Sequence, residues 1–83
     1  MSLYRGGDGS TKEKAIIILA NSEYEGVSAE WDYLQDKFGT WDLEEQTFLE
    51  DGNRRYDIMK IIYHLGQKRK EVWFDVSDFY GRE

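Results

Sequence analysis

The apolar residues of this chain fall into blocks of two different periods. KAIIILA, residues 14–20, places Ile16, Ile17, Ile18 and Leu19 in succession, and β-branched residues in a run too short for an independent helix read as a buried central strand. In the following segment the period becomes helical. Tyr24, Val27, Trp31, Leu34 and Phe38 form one apolar stripe, with Glu25, Ala29, Asp32 and Asp36 on the opposite side. Ser22 with Glu25 has capping-box spacing, and Gly39 stands where a helix stops. Gly26 weakens the first turn, so the helix is expected to become regular at Val27 or Ser28.

From Trp41 the period drops towards two. Trp41, Leu43, Thr47 and Leu49 share one side with Glu45 as an intruder, while Asp42, Glu44, Gln46 and Glu50 face out, the pattern of a strand wet on one face. Asp51-Gly52-Asn53 is turn chemistry and predicts a hairpin. In RRYDIMKIIYHL, Met59, Ile61 and Tyr63 occupy one face and Ile58 and Ile62 the other, which calls for a bulge or a second covered face. Leu65-Gly66 begins the next reversal, and in KEVWFDVSDF the core set Val72, Phe74 and Val76 alternates with Trp73, Asp75 and Ser77. Phe79 and Tyr80 leave this alternation and are expected to fold over an edge of the core.

The resulting order is β-α-β-β-β. It predicts an α+β fold with one four-stranded, mostly antiparallel sheet and a single helix on one face. Residues 1–83 form one expected domain, with a loose segment over 1–12 and a core over 13–80. Trp73, with Ile58 and Ile62 as neighbours, makes a possible association face on the side the helix leaves open. The competing expectation is that Phe79, Tyr80 or the segment around Tyr4 covers Trp73.

Charge narrows the functional options. The net charge is −6, and from Glu23 to Asp51 ten acids stand against one base, Lys37, a local charge of −9 that leaves +3 for the rest. Such a field repels nucleic acid and anionic lipid and favours basic partners, although charged surfaces also simply maintain solubility. Cysteine is absent, which removes disulfides, thiolate metal sites and thiol nucleophiles. No apolar run is long enough to span a bilayer and no signal pattern opens the chain, so a cytoplasmic location is expected.

Catalytic and cofactor motifs are weak throughout. His64 is the single histidine, and no serine has the glycine-flanked setting of a nucleophile elbow beside it. The loop GGDGSTK precedes a strand, the reverse of a phosphate cradle, and Asp8 lacks the further oxygens calcium needs. Ser10 and Glu13 have capping-box spacing and predict a tight turn in this loop. Asp57, Asp75 and Asp78 invite a carboxylate-cluster reading, but the nearby Arg54, Arg55, Lys68, Arg69 and Lys70 predict cross-strand ion pairs instead. No enzyme, cofactor or metal is therefore expected.

YRGGDGS at the start and FDVSDFYG at the end resemble small bacterial proteins with no assigned activity, a resemblance that transfers no functional residue. The expected function is a non-catalytic interaction module of inhibitor or immunity type. It would meet a basic protein through Glu25, Asp32, Tyr33, Asp36, Asp42 and Glu44. The alternatives are a self-associating module pairing through the Trp73 face or an edge strand, and a small-molecule pocket around Trp31, Phe38 and Trp41.

Overall fold

A computed structural model describes residues 4–80. The elements run β1 (Tyr4–Gly6), β2 (Ile16–Ile18), α1 (Glu23–Phe38), β3 (Trp41–Asp51), β4 (Arg54–Tyr63) and β5 (Lys68–Asp75). The fold is α+β, as the patterning predicts, but the sheet has five strands in the order β1-β2-β5-β4-β3 and is mixed. β2 and β5 run parallel, while the β1/β2, β3/β4 and β4/β5 pairs are antiparallel. The additional strand lies in the segment expected to be loose: Tyr4 pairs with Ile18 and Gly6 with Ile16. Two short strands with one polar member carry too little pattern to announce this pairing.

Between β1 and β2 the turn is held by Asp8, whose carboxylate accepts from the backbone N–H and the hydroxyl of Ser10, in place of the expected Ser10/Glu13 box. The Gly9 carbonyl accepts from the Trp73 N–H at 2.8 Å, so this loop extends the contact with β5 beyond the end of β2. Lys12 then reaches across to an ion pair with Asp51 at the far edge of the sheet. Its path crosses the sheet face opposite the helix, where Ala15, Tyr56 and Ile58 are buried with Leu49 and Trp73 packed against them. The loop thus supplies the cover that the second apolar face of β4 requires.

The helix begins as its caps dictate. Ser22 Oγ accepts from Glu25 N–H, and the Glu25 carboxylate accepts from Asn21 N–H. Gly39 closes the other end at φ 71°, where its N–H donates to the Gln35 carbonyl. α1 starts at Glu23, earlier than Gly26 suggested, and its buried face is Gly26, Ala29, Glu30, Tyr33 and Leu34. This corrects the expected stripe: Tyr24 is 83% exposed and Trp31 51%, and Val27 is exposed as well. The small residues face inwards because Phe79 presses on the helix at Gly26, where an added Cβ would stand 2.4 Å from the ring.

The main core joins Ile16, Ile18, Leu34, Met59, Ile61, Val72 and Phe74, with Phe79 closing it from beyond β5. Met59, Ile61, Val72 and Phe74 take the faces their alternation predicts. β3 departs from its expected parity. The register with β4 slips between Leu43 and Glu45, so one extra residue is accommodated there as a bulge. Trp41 and Leu43 stand opposite Tyr63 and Ile61, but beyond the bulge it is Gln46 and Phe48 that stand opposite Met59 and Asp57. Thr47 and Leu49 are thereby transferred to the other face.

Candidate functional site

The bulge in β3 and the rotation of α1 together build a site that the sequence patterning does not reveal. Glu30, on the buried face of the helix, is only 1% exposed, and Asp57, on the helix-facing side of β4, is also buried. Gln46, itself exposed but brought opposite Met59 by the bulge, donates its amide N–H groups to both Asp57 carboxylate oxygens at 2.9 Å. The two hydrogen bonds fix the Asp57 carboxyl group in place beside Glu30. Burial, and then the adjacent Asp57 charge and its hydrogen bond, raise Glu30 from its ordinary 4.5 to about 10. Glu30 is consequently protonated at neutral pH, and its Oε1 atom is buried without a hydrogen-bond partner among the described residues.

Both carboxyl groups line a cavity of about 390 Å³ between α1, β3, β4 and the chain after β5. Val27, Val76 and Phe79 contribute apolar walls, and Glu23 is the further acid in the lining. Phe48 and Tyr80 stand at the mouth, both partly exposed and stacked with centroids 4.6 Å apart at 21°. The Arg55 guanidinium lies over the outer Tyr80 ring at 5.5 Å, and its Nε is buried without a partner. The cavity therefore combines apolar walls, an aromatic rim and two adjacent carboxyl groups, of which Glu30 is held protonated.

The residues singled out from the sequence lie elsewhere, and most are on the surface. Asp32 and Asp36 are exposed on the outer side of α1, and Asp42 is exposed on β3. None of these three makes an ion pair among the described residues. Glu25 is exposed but engaged in capping, and Glu44 is paired with Arg69 at 3.0 Å. Tyr33 is not a surface residue at all: it is buried between Tyr4 and Phe74, edge-on to both. Between them, on the outer helix face, Tyr24, Val27, Ser28, Trp31 and Asp32 line a shallow groove, and Trp31 leans on Trp41 at 4.9 Å.

The expected association face is interrupted. Ile58 is buried, Trp73 is half-buried edge-on to Tyr56, and the two are cross-strand neighbours. Ile62 lies further along β4, separated from them on the same face by Lys60, which pairs with Glu45. The expected pocket around Trp31, Phe38 and Trp41 is likewise displaced, since Phe38 packs on Tyr63 and the carboxyl cavity lies nearer the other end of the helix. Asp75 pairs with Arg54 and Asp78 accepts from Ala20 N–H, so Asp57, Asp75 and Asp78 are not a cluster, and no metal-ligating group occurs among the described residues. No helix among the described residues is long and apolar enough to cross a membrane.

Sequence patterning misses Glu30, Gln46 and Asp57 for one reason each. Glu30 lies off the apolar stripe that hydropathy selects on α1, Gln46 lies beyond the bulge, and Asp57 sits beside arginines that suggest neutralisation. The available signal was Glu45: a charge that interrupts an alternating strand marks the point where parity changes. No protein-family model, curated protein or solved structure matches this chain.

Proposed function

We propose that this protein is a non-catalytic interaction module that binds a basic protein partner through the outer face of α1 and the adjoining edge of β3. The observation that carries this reading is the exposed stripe of Tyr24, Val27 and Trp31 among carboxylates. Tyrosine and tryptophan on a helix surface are the side chains that most often anchor interfaces, and here the sheet leaves them uncovered. Asp32, Asp36 and Asp42 surround that apolar strip with negative charge that no described residue pairs, an arrangement complementary to lysine- and arginine-rich surfaces. Aromatic anchors give such a contact its lifetime, and the carboxylates give it speed and selectivity.

The test is titration of the protein with a lysine- and leucine-containing amphipathic peptide, followed by amide NMR and Trp fluorescence. Amide shifts should concentrate on residues 24–36 and the exposed edge of β3. Affinity should fall at least about tenfold between low and high salt, as exposed charges are screened. Trp31→Ser should weaken binding by about tenfold or more, the loss of one hot-spot side chain. Binding that ignores salt, Trp31→Ser and the double change Asp32→Lys/Asp36→Lys would overturn the proposal.

A further inference from the structure

We propose that the cavity between α1 and the β3–β4 hairpin is a binding site for a single organic monocation, an alkylammonium or guanidinium group whose charge is received by Glu30 and Asp57. Three features of the cavity select this chemistry. Glu30 is 1% exposed and its Oε1 has no hydrogen-bond partner among the described residues, and in a folded interior such an atom is costly unless something satisfies it. Asp57 accepts two hydrogen bonds from Gln46 and retains lone pairs for another donor. Around these acids the walls are hydrocarbon and aromatic, from Val27, Val76, Phe79, Phe48 and Tyr80. An apolar stem ending in N–H donors satisfies both parts, and about 390 Å³ accommodates a group of that size.

An anion is excluded by the Asp57 charge. A bare inorganic cation would leave the apolar walls unsatisfied and find few oxygens to replace its water. At the mouth, Tyr80 stacks on Phe48 and carries the Arg55 guanidinium over its ring, so the rim already holds one organic cation against an aromatic face.

Binding is coupled to a proton. Among the described residues, the charged groups that line the cavity with Glu30 are Asp57 from β4 and Glu23 from α1 itself, while Arg55 lies over the Tyr80 ring. In the empty cavity Glu30 keeps its proton, since a second carboxylate beside Asp57 would be unpaired. An entering cation removes that penalty, so Glu30 releases one proton to solvent and the cation takes its place. The overall charge of the site is unchanged. Affinity should accordingly rise with pH, by up to about tenfold per unit while Glu30 is protonated in the empty protein.

The inference rests on the basic-partner reading only for one source of the cation, a lysine or arginine side chain; a free amine is the other. The probes are n-butylammonium and methylguanidinium, with n-butanol as the uncharged control, titrated by calorimetry from pH 6 to 9 in two buffers of different ionisation enthalpy. Binding of either cation with release of about one proton, and none of that release in Glu30→Gln, supports the site. Blocked Gly-Lys-Gly and Gly-Arg-Gly then separate the sources. Peptides at least about tenfold tighter than the free cations point to a partner side chain, and weaker peptides to a small amine. Cations that bind no better than butanol, or binding without proton release, would overturn the inference even if the outer helix face still binds the amphipathic peptide. Loss of peptide binding at that face with proton-coupled cation binding intact would overturn only the partner reading.

Discussion

Glu30 sets a pH dependence of stability that is unusual in sign for a carboxyl group. Most acids in folded proteins are better stabilised when charged, and stability is then lost in acid. Glu30 is the reverse, because its folded-state value lies near 10 while the unfolded chain titrates near 4.5. Below about pH 4.5 both states hold the proton and the contribution is fully present. Between there and about pH 10 the folded state still holds a proton that the unfolded state has released, so stability falls as pH rises. One proton corresponds to a slope of up to about 1.4 kcal/mol per pH unit. Glu30→Gln keeps the shape and removes the titration. Its urea midpoint should match the wild type near pH 4 and exceed it increasingly above pH 6, while a parallel pH dependence of the two proteins would show that Glu30 is charged in the folded state. The buried Oε1, without a donor among the described residues, is thus a stability cost that an incoming cation would offset.

Within the elements, Gly26 and Phe79 form the contact that fixes the phase of α1. A methyl group at position 26 would meet the Phe79 ring carbons at 2.4 Å, a distance that only movement of the ring or the helix can relieve. Overpacking of that kind costs about 1–3 kcal/mol, against about 1 kcal/mol that alanine returns in helix propensity. Gly26→Ala should therefore destabilise, and in a Phe79→Leu background the same change should become neutral or stabilising, a coupling that a double-mutant cycle in urea would measure. Additive effects would separate the two residues. This contact also explains what the sequence made legible. Strands with strong alternation, such as Val72-Phe74-Val76, and caps with their own hydrogen-bonding chemistry, such as Ser22 and Gly39, are local facts and were readable as such. The helix face was not, because hydropathy selected Tyr24, Val27 and Trp31, whereas close approach selected Gly26 and Ala29, and only the distant Phe79 decides between them. β1 is invisible for a related reason, since three residues pair there only because β2 offers an edge. The carboxyl cavity depends on the helix phase and the β3 bulge together, so misplacing either one is enough to hide it.

For the molecule as a whole, charge placement decides between a basic partner and a second copy of the same chain. β3 is an edge strand of 11 residues, open along one side, and an exposed edge of that length invites pairing. A two-fold dimer, however, sets each surface against itself. The segment from Glu23 to Asp51 has a formal charge of −9, from which the protonated Glu30 removes one negative charge, and although Arg69, Lys60 and Lys12 neutralise Glu44, Glu45 and Asp51, the remaining acids leave α1 and the β3 edge strongly negative. Edge-to-edge pairing would bring the two acidic surfaces within a Debye length, about 10 Å at 0.1 M salt, where their repulsion is little screened. Charged side chains on an edge are a common guard against such pairing, and a basic partner turns the same charges into attraction. Sedimentation equilibrium at low salt should thus return the monomer mass of 9.9 kDa across a wide concentration range. Any dimer should emerge only at high salt or in Asp32→Lys/Asp36→Lys, where the repulsion is screened or removed. A dimer that is strongest at low salt would reverse the argument: the open strand, with Leu43 and Phe48 exposed along it, would then be a surface for self-association, and the acids beside it would have to meet bases of the second copy.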